Sequence, residues 1–113
     1  MWIQPMKIGL HAAATALGDG KVIGILGKYG SAIVQITGIT TGVVTFQGTL
    51  DGTNYVNILA KNLTSGATGA TAAADGIYIV PIIGINKFKA PITTATDVDI
   101  TATAMFIPEV ITV

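Results

Sequence analysis

This sequence predicts an all-β fold: a single antiparallel β-sandwich or jelly roll of about seven to nine short strands, with an extended N-terminal arm. Three observations carry the prediction. Thr, Val and Ile dominate, while the helix formers Leu, Glu, Gln, Lys and Arg are scarce. Apolar residues alternate with period two in several segments. Turn-forming Gly, Asp and Asn residues separate those segments at near-regular spacing. A chain of 113 residues fits one domain with its own core, and without Cys neither a disulfide nor a thiolate metal site is possible.

Along the chain, residues 1–15 read as an apolar arm ahead of a sandwich spanning 16–113. Trp2, Ile3, Met6, Ile8 and Leu10 would be a liability in water unless docked on the sandwich or on a neighbour. His11 to Leu17, with four Ala, is the sole helical candidate and is too short to stand alone. In 32–37, Ala32, Val34 and Ile36 share a face, opposite Gln35 and Thr37. In 43–50, Val44, Phe46 and Leu50 share one, and in 54–60 Val56, Ile58 and Ala60 do. A two-residue turn at Asp51-Gly52 would set Phe46 opposite Asn57. An odd-numbered loop or a bulge sets Phe46 opposite Ile58 and Val44 opposite Ala60, so the buried face predicts the latter. Segment 76–83 is apolar on both faces and reads as a central or interface strand, with Pro81 near an edge or bend. In 85–92, Phe88, Ala90 and Ile92 point inward and Lys87 and Lys89 outward. In 98–106, Val98, Ile100, Ala102, Ala104 and Phe106 form the inner face. Segment 64–74, of low complexity, reads as a loop or an edge strand.

Charge narrows the function. Only 11% of residues are charged, against about 25% in an ordinary soluble domain. Six Lys balance six acids and there is no Arg. A nucleic-acid ligand is therefore not expected, because phosphate binding needs a basic excess. No apolar run approaches the roughly 18 residues of a spanning helix, and the N-terminus lacks the basic-then-apolar order of a signal peptide. The surface of so weakly charged a chain is expected to be covered by other subunits.

An active site is not expected. His11 is the single histidine and has no Ser, Cys or carboxylate at a suggestive spacing. Asp97 and Asp99 leave one strand face, but calcium needs six to eight oxygens, so a solvated strand start is the reading. Asp19, Asp51 and Asp75 each precede Gly, which is turn chemistry. Metal and cofactor are both expected to be none. Tyr55, beside Asn54 and Asn57, is the best sugar-stacking set, with core-edge packing preferred for the ring.

The stretch Gly42-Val43-Val44-Thr45-Phe46-Gln47-Gly48-Thr49-Leu50-Asp51-Gly52-Thr53-Asn54-Tyr55-Val56 resembles a pattern of small tailed-bacteriophage virion proteins, in which a Gly-x-Val-x-Phe strand enters an Asp-Gly-Thr-Asn-Trp turn. Ala16 to Gly20, Gln35 to Gly38, Asp75 to Tyr78 and Lys87 to Ala90 follow that family's order, so the likeness covers about residues 16–106. The same turn is similar to one in discoidin-type, galactose-binding-like sandwiches. Tyr55 stands where Trp is usual, and Lys87 and Lys89 where Arg is usual. The resemblance implies a non-enzymatic virion structural protein, a capsid decoration (cement) protein or a neck or tail accessory, assembled in the host cytoplasm. Its expected partners are the major capsid protein or other virion subunits and further copies of itself, a trimer suiting an icosahedral shell. The expected assembly interface is Trp2, Ile3, Met6, Ile8, Leu10, Tyr55, Tyr78, Val80 and Ile82. A carbohydrate-binding or adhesion module of a tail, neck fibre or cell surface is the alternative.

Overall fold

The computed structural model describes residues 4–96 and 99–108. Trp2, Ile3, Asp97 and Val98 thus lie outside the described residues. The fold is all-β and antiparallel throughout: β1 (Met6–Ala14), β2 (Ile23–Gly24), β3 (Tyr29–Thr37), β4 (Thr41–Thr45), β5 (Gln47–Thr49), β6 (Val56–Asn57), β7 (Ala60–Asn62), β8 (Thr68–Gly69), β9 (Thr71–Ala72), β10 (Gly76–Pro81), β11 (Lys87–Lys89), β12 (Ile92–Thr96) and β13 (Ile100–Pro108). Among the described residues thirteen strands replace the expected seven to nine, because longer runs are interrupted. Only Phe46 separates β4 from β5, and only Ala90-Pro91 separates β11 from β12. Pro91 has no N–H to donate to a ladder, so pairing stops there, and its carbonyl still accepts from Thr45 N at 2.9 Å.

One layer is a six-stranded sheet in the order β1-β13-β3-β10-β7-β8. The other is formed by β2-β11-β5-β6 together with β12-β4-β9. Alternation fixes what lies between them. Ala32, Val34 and Ile36 of β3, Tyr78 and Val80 of β10, and Ile100, Ala102, Ala104 and Phe106 of β13 point inward and are buried. They meet Ile23, Val44, Phe46, Phe88 and Ile92 of the second layer. Phe106 packs edge-on to Phe88 at 5.9 Å and beside Tyr29 at 5.7 Å, and Phe46 lies 5.6 Å from Tyr78. Each fully buried Phe contributes about 1.5–3 kcal/mol of transfer free energy.

From Met6 onward, the segment expected to be an arm is the edge strand of the six-stranded sheet. Met6 pairs with Phe106 and Ile8 with Ala104. Bulges between Gly9 and His11 and between His11 and Ala14 accompany a positive φ at Ala13. The Ala-rich stretch therefore extends a strand, because pairing with β13 outweighs its local helix preference.

The register at the Asp51 turn is the odd-loop one. Gln47 lies opposite Asn57, and Ile58 N donates to Phe46 O at 2.8 Å. Val44, however, faces Ala72 of β9 rather than Ala60. Leu50 and Val56, expected to point inward, are exposed: β5 ends at Thr49 and the chain leaves the sheet at Leu50, while Val56 lies in the edge strand β6 opposite Gly48.

Candidate assembly surface

Strand β10 is apolar on both faces, and register decides which face is free. Tyr78 pairs with Val34 and Val80 with Ala32, both core residues. Ile77, Ile79 and Pro81 therefore project from the outer side of the six-stranded sheet. The same parity turns Ile33 of β3, Met105 and Ile107 of β13, Lys61 of β7 and Lys7 of β1 outward.

These residues align across the sheet. Lys7 pairs with Met105, Met105 with Ile33, Ile33 with Ile79, and Ile79 with Lys61. Three half-buried apolar side chains thus form a row with an exposed lysine at each end. Cross-strand partners on one face touch, so the row is continuous. Ile107, Ser31 and Pro81 make the row on one side of it. Thr103, Gln35 and Ile77 make the row on the other.

Six residues of the expected interface are turned to the chain's own interior. Leu10, Tyr78, Val80 and Ile82 are core residues. Met6 and Ile8 pack partly buried against that core. The Tyr78 hydroxyl donates to Ala74 O at 2.8 Å, and burial pushes its pKa up. Tyr55 is half-buried, with Lys89 Nζ 4.2 Å from its ring centroid. Lys89 in turn pairs with Asp19 at 3.2 Å. Asn57 Oδ1 accepts from Gln47 Nε2, and the Asn54 side chain donates to Asp51, so the sugar-stacking set is engaged internally.

Asp51 organises its loop. Its Oδ1 accepts from Thr53 N, Asn54 N and Thr49 Oγ1 at 2.8–2.9 Å, and its Oδ2 accepts from Asn54 Nδ2 at 2.8 Å. The backbone N–H groups of Asn54 and Thr53, then the side chains of Asn54 and Thr49, hold its carboxyl well below the usual carboxylate range. A folded pKa below the unfolded one makes this stabilisation complete above about pH 4, and it fades as pH falls towards the folded value. Asp51→Asn should therefore melt below the parent at neutral pH, with the gap closing in acid. A gap of constant size from neutral pH into acid, read by circular dichroism melts, would contradict this role.

A second apolar surface caps one end of the sandwich. Leu26, Leu50, Val56 and Ile83 are 63–72% exposed. Leu50, Val56, Ile83 and Ile85 line a shallow depression. Asn86 ties three loops together there. Its N donates to Thr49 O and its side chain to Leu50 O, while its carbonyl accepts from Ile25 N and Leu26 N. Nothing in the sequence pattern singled out Asn86, because its partners come from two distant loops.

His11 is buried, with Nε2 2.7 Å from Ala90 O. Among the described residues, no group of three or more His, Cys, Asp or Glu stands together to hold a metal ion.

No protein-family model matches this chain, and no curated protein matches it. Two solved structures are similar to it. The SPBc2 prophage-derived protein YomS superposes with a TM-score of 0.78 at 21% identity, over 94% of this chain and 96% of that one. The PBSX exported protein XepA superposes with a TM-score of 0.85 at 13% identity, over 91% of this chain and 37% of that one. This chain thus spans little more than a third of XepA's length. At these identities the likeness is one of fold.

Proposed function

We propose that this chain is a phage-associated structural protein, a virion component that attaches through the outer face of its six-stranded sheet, with capsid decoration as the specific role. The observation that carries the reading is the lysine-ended row of Met105, Ile33 and Ile79 on a face that no part of the described chain covers. Contiguous apolar surface of this kind marks interaction sites. Two further points support a phage setting: the fold is shared with a prophage-derived protein, and the Gly42 to Val56 stretch resembles phage virion proteins. No catalytic step is assigned, since the one imidazole is packed against a backbone carbonyl.

The test is co-sedimentation with purified particles assembled without the protein. The parent should pellet with the particles, and Ile79→Asp should remain in the supernatant. Ile79 is an outward residue, so this change should cost only about 1 kcal/mol of fold stability. The mass of the free protein in the same centrifuge reads the homo-oligomer, with a trimer proposed. A parent that never pellets would sink the virion reading.

A further inference from the structure

We infer that the surface meeting this sheet face is a different protein, with carboxylates on both sides of an apolar strip, rather than a second copy of this chain. The inference rests on the outer face being the docking surface.

Charge decides the partner's chemistry. The chain has zero net charge, yet this row carries a lysine at each end. Lys7 and Lys61 stand on strands four spacings apart, about 19 Å. Among the described residues, no carboxylate lies in the row or beside it. Asp99 is six residues from Met105 along the β13 direction, about 20 Å away. Asp19 is paired with Lys89, whose strand lies in the other layer. Asp51 is engaged in its own loop, and Asp75 accepts from Ile39 N at 2.8 Å.

Self-pairing fails on the same geometry. A twofold axis that lays one row over another brings lysine onto lysine, whether it runs along the row or along the strands. Like charges beside a desolvated strip are costly. The complementary surface therefore carries acids about 19 Å apart. A protein surface fits better than a bilayer, because Ile33, Ile79 and Met105 lie half-buried in a sheet while the lysines stand exposed. Such a face has no protruding apolar wedge to enter the acyl layer.

The experiment compares Lys7→Glu/Lys61→Glu, Lys7→Arg/Lys61→Arg and Ile79→Asp in the co-sedimentation assay. Both lysines are exposed, so charge reversal should leave the fold intact, which a thermal melt checks. The Glu pair should weaken attachment about tenfold or more, the Arg pair should restore it, and parent attachment should weaken as salt rises. If the Glu pair attaches like the parent while Ile79→Asp does not, the face docks but the partner is not acidic, and this inference is overturned. If Ile79→Asp also attaches normally, the reading of the face itself fails. A free dimer that Ile79→Asp dissociates would overturn the exclusion of self-pairing. Lysine-dependent binding to phosphatidylglycerol vesicles, with none to particles, would replace the protein partner by a membrane.

Discussion

Phe106→Ala is expected to lower folding stability by about 3–5 kcal/mol, whereas Met105→Ala, one position away, should lower it by about 1 kcal/mol. Phe106 is fully buried and touches Tyr29 in its own layer and Phe88 in the other. Alanine there removes a ring and leaves a cavity that three strands cannot close. Met105 sits on the outer face, half-buried among Lys7 and Ile33. Its truncation loses part of a side chain that water already reaches. Against a total of about 5–15 kcal/mol, the first loss brings the domain close to unfolding and the second barely shows. Urea midpoints of the two variants give the comparison. Equal losses would mean that the inner and outer faces of β13 have been exchanged.

Gly38→Ala is the other large expected effect, at about 2–4 kcal/mol. Gly38 has φ +82°, where an L side chain is strained. A Cβ there would also overlap the backbone carbonyl of Asp99, which neither residue can turn aside. That contact holds the turn after β3 against the entry to β13, where Asp99 N donates to Gly38 O at 3.1 Å. Gly66→Ala is the control. Its φ is +78°, yet nothing lies within 4 Å of the added carbon, so only the backbone cost of about 1 kcal/mol remains. Should the two variants unfold at the same urea concentration, the steric part of the explanation is wrong.

Strands with polar residues on one side were legible in the sequence. In β13 and β3, Thr and Gln mark the wet side, so Ala102, Ala104 and Phe106 and their partners Ala32, Val34 and Ile36 could be placed inward by alternation alone. In β10 both sides are apolar, and period two then carries no sign. Placing Tyr78, Val80 and Ile82 in the assembly interface, rather than Ile77, Ile79 and Pro81, chooses between two equal patterns. Pairing with β3 resolves it, and pairing between distant segments is not written in a local window. The lysine-ended row was hidden for the same reason, since its five members come from five strands. The odd-loop register at Asp51 was legible because only one alignment buries both Phe46 and Ile58. Leu50 was misplaced by extending alternation one residue past the strand end. That residues 6–14 dock was legible from their apolar character, but that they dock as a strand was not, because β1 carries too few β-branched residues to announce one and only its neighbour makes it one.

The pairing of β1 with β13 also sets when the molecule can finish folding. Met6 finds its place only beside Phe106, so β1 must wait for β13, which follows it far along the chain. Until then the sheet has an unfilled margin at β13's position, and Leu10 and His11 have no shelter. Closing so long a loop is slow, and a strand kept waiting is open to the wrong neighbours. Nascent chains stalled before β13 should be the aggregation-prone species in the cell, a hazard that ends once β13 is made.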